Sequence, residues 1–442
     1  MTMVRIGHYK YFSLVLILGA AILIRLSFLA FFGNTLHLQT SGYDTYAVNL
    51  IDGHGYTRFS DYHQDSDVPP LYSFFLVGVY LVLGRNPISV ALVQIALDTI
   101  TFVMIYRIGQ RIAGKAVGLV TAAMTAFYPY LLFQNLTVND TALFIALLSS
   151  SIWAVFLAYD RKSWRCALLA GMLLGLAALT KSLVALMVPL IFLWWLRHLG
   201  WRPVWKLVAA FVVAFVLVPL PWVIRNIQLQ HTFVLISLND GSNLLQGNNP
   251  LAADLLLQGY DVQWTLYSLP QIPDGLTEVQ QANWYRDQAL DYLRTHSSDW
   301  PKLFGAKFLT LWSPELRPIK APPEAHTVET PVLQYEQPMF QVARVIHVIY
   351  FTPLLVLGIL GMLLSWRDKR LIGPLIIVLV AVTIAYLIYH PSTRYRSPAD
   401  PFLFCMSAYA LVRIYEALKT KVSGRQFLFR KVNVHATNRP NL

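Results

Sequence analysis

The chain has 442 residues, 56% of them hydrophobic and 13% charged, with a mean hydropathy of +0.50. A soluble domain carries about 25% charged residues, so a soluble core is excluded for most of the chain. The net charge of +12 sits in short loops between apolar runs, which is the pattern of membrane orientation and argues against nucleic-acid binding.

A crossing helix needs about 20 mostly apolar residues. Ten spans are predicted, at 11–33, 88–110, 115–133, 139–159, 165–181, 183–199, 205–223, 344–365, 371–389 and 398–418. The first is too long for a cleaved signal peptide and lacks a small-residue cleavage site, so it reads as a retained anchor. The two cysteines, Cys166 and Cys405, fall at or in apolar runs, which leaves a disulfide framework and redox chemistry without support. The run Leu71–Gly84 is apolar but short, and charge decides its status. If it does not cross, the loops with Arg107, Arg111, Lys115, Arg161, Lys162, Arg165, Arg197, Arg202, Lys206, Arg367, Lys369 and Arg370 share one side with the N-terminus (Arg5, Lys10) and the tail from Arg413 to Lys431. Those loops and the tail hold 18 basic residues against three acidic ones, Asp160, Asp368 and Glu416. The positive-inside rule therefore makes 71–84 an interfacial or re-entrant helix and both termini cytoplasmic.

The expected fold class is an all-α polytopic membrane protein of about ten transmembrane helices, with interfacial helices and a small mixed extracytoplasmic domain. Residues 1–224 form the N-terminal membrane core, with a first outer loop at 34–87. Residues 225–343 form the outer domain, where Thr277 is a candidate cap for a helix over 277–295 with Ala282, Tyr285, Ala289 and Leu293 on one face. Residues 344–418 hold the C-terminal spans, and 419–442 a basic tail.

Polar residues that break the apolar pattern gather on the outer side. Asp44 follows the first span in SGYDTYAVNL. Asp65 and Asp67 precede Pro69-Pro70-Leu71-Tyr72. Asp140 opens the fourth span, Lys181 ends GLAALTK, Arg225 lies in PWVIRN, and His390, Arg394 and Arg396 lie in YHPSTRYRSPADP. Carboxylates suit a general base or a divalent-metal ligand. Lysine and arginine suit a phosphate. A base beside a phosphate site at the membrane edge describes group transfer from a lipid phosphate. No GxxxxGK[ST] phosphate loop is present. Plainer roles are open to each residue: Asp44 and Asp140 could cap the helices that follow them, and Lys181 could snorkel to headgroups.

The segments SGYDTYAVNLIDGHGY, VPPLYSFFLVGVYLVLG, PWVIRN…FVLISLNDGSNLLQGNNP and RYRSPADPFL resemble the bacterial glycosyltransferases of the dolichyl-phosphate-mannose-protein mannosyltransferase and aminoarabinose-transferase type, polytopic enzymes of the GT-C fold (glycosyltransferase family 39). The resemblance runs from about residue 10 to 415. It implies a hexosyl- or pentosyltransferase that uses a polyprenyl-phosphate-linked sugar as donor, with inversion the usual outcome. It implies Asp44 as catalytic base, Asp140 as a second catalytic acid, and Lys181, Arg225, Arg394 and Arg396 as cations facing the donor phosphate. Family members often carry an acid and a cation just before the PPLY-like segment. Here Asp67-Val68 keeps the acid and lacks the cation, which bears on a divalent-metal site at Asp65 and Asp67. The GNNP stretch, Gly247 to Pro250, resembles the family with no assigned chemistry. The implied setting is a bacterial inner membrane with the site on the extracytoplasmic face. The acceptor, a lipid, glycan or protein, is left open.

Three other classes stay open. A polysaccharide polymerase or ligase would use a lipid-diphosphate donor. A secondary transporter would be expected to show internal symmetry, and no repeat is read here. An inactive assembly subunit would tolerate loss of Asp44.

Overall fold

A computed structural model describes residues 12–38, 42–321, 338–366 and 369–436. Arg5, Lys10, Arg367 and Asp368 lie outside the described residues. The helices in chain order are α1 (Phe12–Phe32), α2 (Tyr43–Ile51), α3 (Leu71–Leu83), α4 (Pro87–Ala126), α5 (Pro129–Gln134), α6 (Thr141–Arg161), α7 (Trp164–Ala178), α8 (Met187–Leu199), α9 (Trp201–Leu217), α10 (Leu220–Gln230), α11 (Asp240–Gly247), α12 (Ala252–Gln258), α13 (Glu278–Thr295), α14 (Trp300–Leu311), α15 (Pro338–Ser365), α16 (Lys369–Ile388), α17 (Thr393–Arg396) and α18 (Asp400–Ala436).

Seven of the described helices are long and apolar enough to cross a membrane, or eight if the bent pair α9 and α10 counts as one span. The chain is an integral membrane protein, but the expected count of ten is not met. Two causes are visible. Helix α7 has 15 residues, short of the usual span. Helix α4 holds two of the predicted spans in one element, broken at Ala113 and Gly114, where Gly114 takes φ 85°. The chain folds back there, because a Cβ on Gly109 would lie 3.0 Å from the Cα of Gly118. In a straight helix, residues nine apart would stand about 13 Å apart at 1.5 Å per residue. Paired glycines let the two arms touch backbone to backbone.

Helix α3 spans 13 residues, about 20 Å at the helical rise, too short for a hydrocarbon core of about 30 Å. Helices α7 and α9 run side by side, with Gly171 against the carbonyl of Phe211 and Gly175 against that of Phe215. The main core draws on α4, α6 to α9, α15, α16 and α18. The basic turns collect at one end of this bundle: Arg111 pairs with Asp160 at 2.6 Å, and Trp194 meets both Tyr159 and Gly373.

At the opposite end, residues 231–321 form a helical layer, not the mixed domain expected. Among the described residues no strand occurs, and the one isolated bridge joins Tyr260 to Lys320. Its small core contains Ala252, Ala253, Leu256, Val262, Tyr292, Leu303 and Ala306. Thr277 caps α13 through a capping box with Gln280. The boundary expected at residue 225 falls inside α10.

Candidate active site

Three residues far apart in sequence meet at the end of the bundle opposite the basic turns. Asp140 immediately precedes α6 but does not cap it: Asn139 accepts from the amide of Thr141 at 2.9 Å, and the Asp140 side chain makes no cap bond. Lys181 sits in extended backbone just after α7, at φ −147°. Arg394 lies in α17, whose N-cap is Ser392. Asp140 Oδ2 takes Lys181 Nζ at 2.8 Å and Oδ1 takes Arg394 Nη2 at 3.1 Å. Burial opposes ionisation of Asp140, but the two cations outweigh it and hold the carboxyl below its ordinary value. Burial lowers the Lys181 ammonium.

Two cations on one carboxylate leave one positive charge in surplus. Arg394 Nε is buried with no hydrogen-bond partner among the described residues, and a buried donor left unpaired is costly unless a ligand takes it. The Lys181 ammonium lies 5.6 Å from the Tyr395 ring centre and 5.8 Å from that of Phe144. Tyr395 stacks on Tyr386 at 4.7 Å and accepts from Gln263.

Asp44 stands one residue from this cluster's wall. It lies in the first turn of α2, whose N-cap is Gly42, where a carboxylate suits the helix dipole. Its side chain caps nothing. Oδ1 accepts from Tyr80 at 2.8 Å, and Arg85 grips both oxygens, at 3.1 and 2.6 Å. Asp44 is buried, while the Arg85 side chain is 49% exposed. The preceding residue, Tyr43, turns the other way. Its ring meets Tyr72 at 5.1 Å, and burial raises its hydroxyl, with Asp140 adding to the rise and Arg394 opposing it. Tyr80 and Arg85 are partners that the sequence reading missed. The signal for Arg85 was a cation placed directly after Gly84, at the end of a helix too short to cross.

The remaining candidates go elsewhere. Arg225 donates to the carbonyl of Asp65 at 2.6 Å and to Ser66 and Asn226, and lies over the Trp222 ring at 4.7 Å. It fastens the first outer loop to α10. Asp65 accepts from the Tyr46 hydroxyl at 2.7 Å and from the amides of Arg58 and Asp67. Asp67 pairs with Arg58 at 2.8 Å, so the cation absent beside Asp67 in sequence arrives from nine residues earlier. These carboxylates face protein donors, and among the described residues no group of three or more His, Cys, Asp or Glu is gathered to hold a metal. Arg396 is wholly buried: Nε bonds Asp400 at 3.1 Å, Nη1 the carbonyls of Leu311 and Ser313, and Nη2 meets His347 at 3.3 Å.

The family model for dolichyl-phosphate-mannose-protein mannosyltransferases matches residues 67–222. No curated protein matches the sequence significantly. Among solved structures, the apo oligosaccharyltransferase of Archaeoglobus fulgidus aligns over 99% of this chain and 53% of its own, at 14% identity and a TM-score of 0.55. The same enzyme, AglB, with an inhibitory peptide and a dolichol-phosphate aligns at 15% identity and a TM-score of 0.54, over 99% and 53% of the two chains. ArnT from Cupriavidus metallidurans, bound to undecaprenyl phosphate, aligns over 91% of this chain and 78% of its own at 16% identity and a TM-score of 0.44, a score that decides nothing about the fold. The chain spans about half the length of the archaeal structures it matches. What the comparison shows is the fold: a helical membrane protein built like the archaeal oligosaccharyltransferase, in keeping with the GT-C-like fold that the sequence resemblance implies.

Proposed function

We propose that this chain is a glycosyltransferase that moves a hexosyl or pentosyl group from a polyprenyl-phosphate carrier to an acceptor at the outer membrane surface. The observation that carries the reading is the Asp140–Lys181–Arg394 cluster, with its surplus positive charge and open Arg394 Nε. A phosphate monoanion supplies both the missing charge and the missing acceptor. The family match and an archaeal protein of the same fold seen with dolichol-phosphate agree with it.

In this reading Lys181 and Arg394 bind the donor phosphate and Asp140 orients them. The acceptor hydroxyl attacks the anomeric carbon, the bond from that carbon to the phosphate oxygen breaks, and the electron pair leaves on the polyprenyl phosphate. The two cations stabilise the charge that develops there. Asp44 takes the acceptor's proton. Asp44 is assigned this role because Asp140 is held by two cations and Asp44 by one, the half-exposed Arg85. Arg225 and Arg396 lie outside this mechanism and serve the scaffold. The basic turns then face the cytoplasm and the helical layer over 231–321 the extracytoplasmic side of a bacterial inner membrane.

The test is release of free polyprenyl phosphate by purified protein given polyprenyl-monophosphate sugars and a cell extract as acceptor. Asp44→Asn should lower turnover by about 10²–10⁴-fold, the usual worth of a general base, with an unchanged melting curve. Release only from diphosphate donors would assign the chain to the polymerase class. Wild-type turnover in Asp44→Asn would remove Asp44 as the base.

A further inference from the structure

We propose that Lys307, working through Gly247 and Asn248, is a positioning residue that sets the turn Tyr389–Ser392 so that Arg394 faces the donor phosphate. The inference rests on the donor site described above and gives the GNNP stretch a role.

Lys307 lies on α14, is fully buried, and among the described residues makes no ion pair with a carboxylate. Its ammonium makes three hydrogen bonds: to Asn248 Oδ1 at 2.8 Å, to the carbonyl of Leu387 at 2.9 Å and to that of Ile388 at 3.2 Å. The last two are the closing carbonyls of α16, where a helix gathers negative partial charge and favours a cation. Asn248 completes a bridge, because its Nδ2 donates to Ile388 at 2.8 Å and to Leu244 at 2.7 Å. Gly247 lies flat on the same turn, since a Cβ there would meet the Tyr389 carbonyl at 2.2 Å. Asn249 bonds its own turn through Leu245, Gln246 and Leu251. The far side of the turn is pinned by Thr393, which exchanges hydrogen bonds with the backbone of Arg317, both at 2.8 Å. Five residues separate Ile388 from Arg394, so both pins act on the segment that aims the guanidinium.

The three acceptors around Lys307 need three N–H donors, and only the charged ammonium has three. Burial pushes this lysine down to about 7. The titratable group that faces it is His390, which burial, helped by the Lys307 charge, holds down to about 3. His390 is therefore neutral throughout the working range. The Phe304 ring forms a further wall, 5.4 Å away. As pH rises through about 7, Lys307 loses one proton and one bond, and the turn loosens.

The experiment measures binding of polyprenyl phosphate and the donor KM from pH 6 to 9, for wild type, Lys307→Met, Lys307→Arg and Arg394→Gln. Lys307→Met should raise the donor KM with kcat little changed, and remove the part of the wild-type pH dependence that Lys307 supplies. Lys307→Arg keeps donors and charge, so it should bring the donor KM back toward wild type. If Arg394→Gln weakens binding but Lys307→Met does not, the clamp is wrong and the donor site stands. If Arg394→Gln leaves binding unchanged, the donor site itself is wrong. Should neither lysine variant fold, Asn248→Ala decides, because it removes one acceptor of Lys307 and one bond to Ile388: a donor KM equal to wild type overturns the inference.

Discussion

Arg394 and Arg396 stand two residues apart in one short helix and have opposite surroundings. Arg396 is 0% exposed, pairs one-to-one with Asp400 and has every guanidinium nitrogen in contact with a partner. Arg394 is 34% exposed, shares Asp140 with Lys181 and leaves its buried Nε without a partner among the described residues. Burial of an ion pair therefore does not mark the candidate site here. Charge surplus and an unfilled donor mark it. The balanced pair joins α14, α15 and α18 where they meet, and the unbalanced one carries the surplus charge on which the proposed donor site rests.

The comparison can be broken by substitution. The largest effect is expected from Arg396→Leu, which leaves Asp400 buried without its cation and should cost about 3–5 kcal/mol of stability. Thermal unfolding in detergent would record it, and an unchanged midpoint would refute a structural role for Arg396. Arg394→Gln should do the reverse: little change in unfolding, with donor KM raised about tenfold or more, as for loss of a charge-assisted hydrogen bond of about 1.5–3 kcal/mol.

A smaller effect concerns acid. The folded-state pKa of Asp140 is depressed, so its contribution to stability is complete above the unfolded value of about 3.9 and is lost as pH falls through the folded value. Unfolding followed from pH 7 downward should show this limb in wild type and lack it in Asp140→Asn. The smallest effect is expected at the exposed pair of Lys302 and Asp254, 2.7 Å apart and over half exposed on both sides. Lys302→Ala should stay within about 0.5 kcal/mol of wild type, and a larger loss would show that exposure is a poor guide to what these pairs contribute.

Much of the fold was legible because it is local. Apolar runs of the right length gave the long helices, and the pattern Thr277 to Gln280 gave a capped start. The reversal at Ala113–Gly114 also followed the basic turn that separates two predicted spans. Length and composition count fewer spans than the ten expected at two places, α7, which is short, and α4, whose two arms form one element. In the candidate site, the residue types and the face were legible and the partners were not. Arg225 and Arg394 are both outer-face cations in sequence, yet one fastens a loop and the other meets Asp140.

By itself, the sequence determined a helical membrane protein and the set of polar residues that interrupt its apolar runs. These follow from hydropathy and charge, which act on each segment wherever its neighbours lie. Tertiary structure alone decided which charges meet. Asp140 and Arg394 are 254 positions apart, and no local period links them. Whether a cation saturates a neighbour or stays open to a ligand depends on how distant helices pack, because a hydrogen bond forms only within about 3 Å.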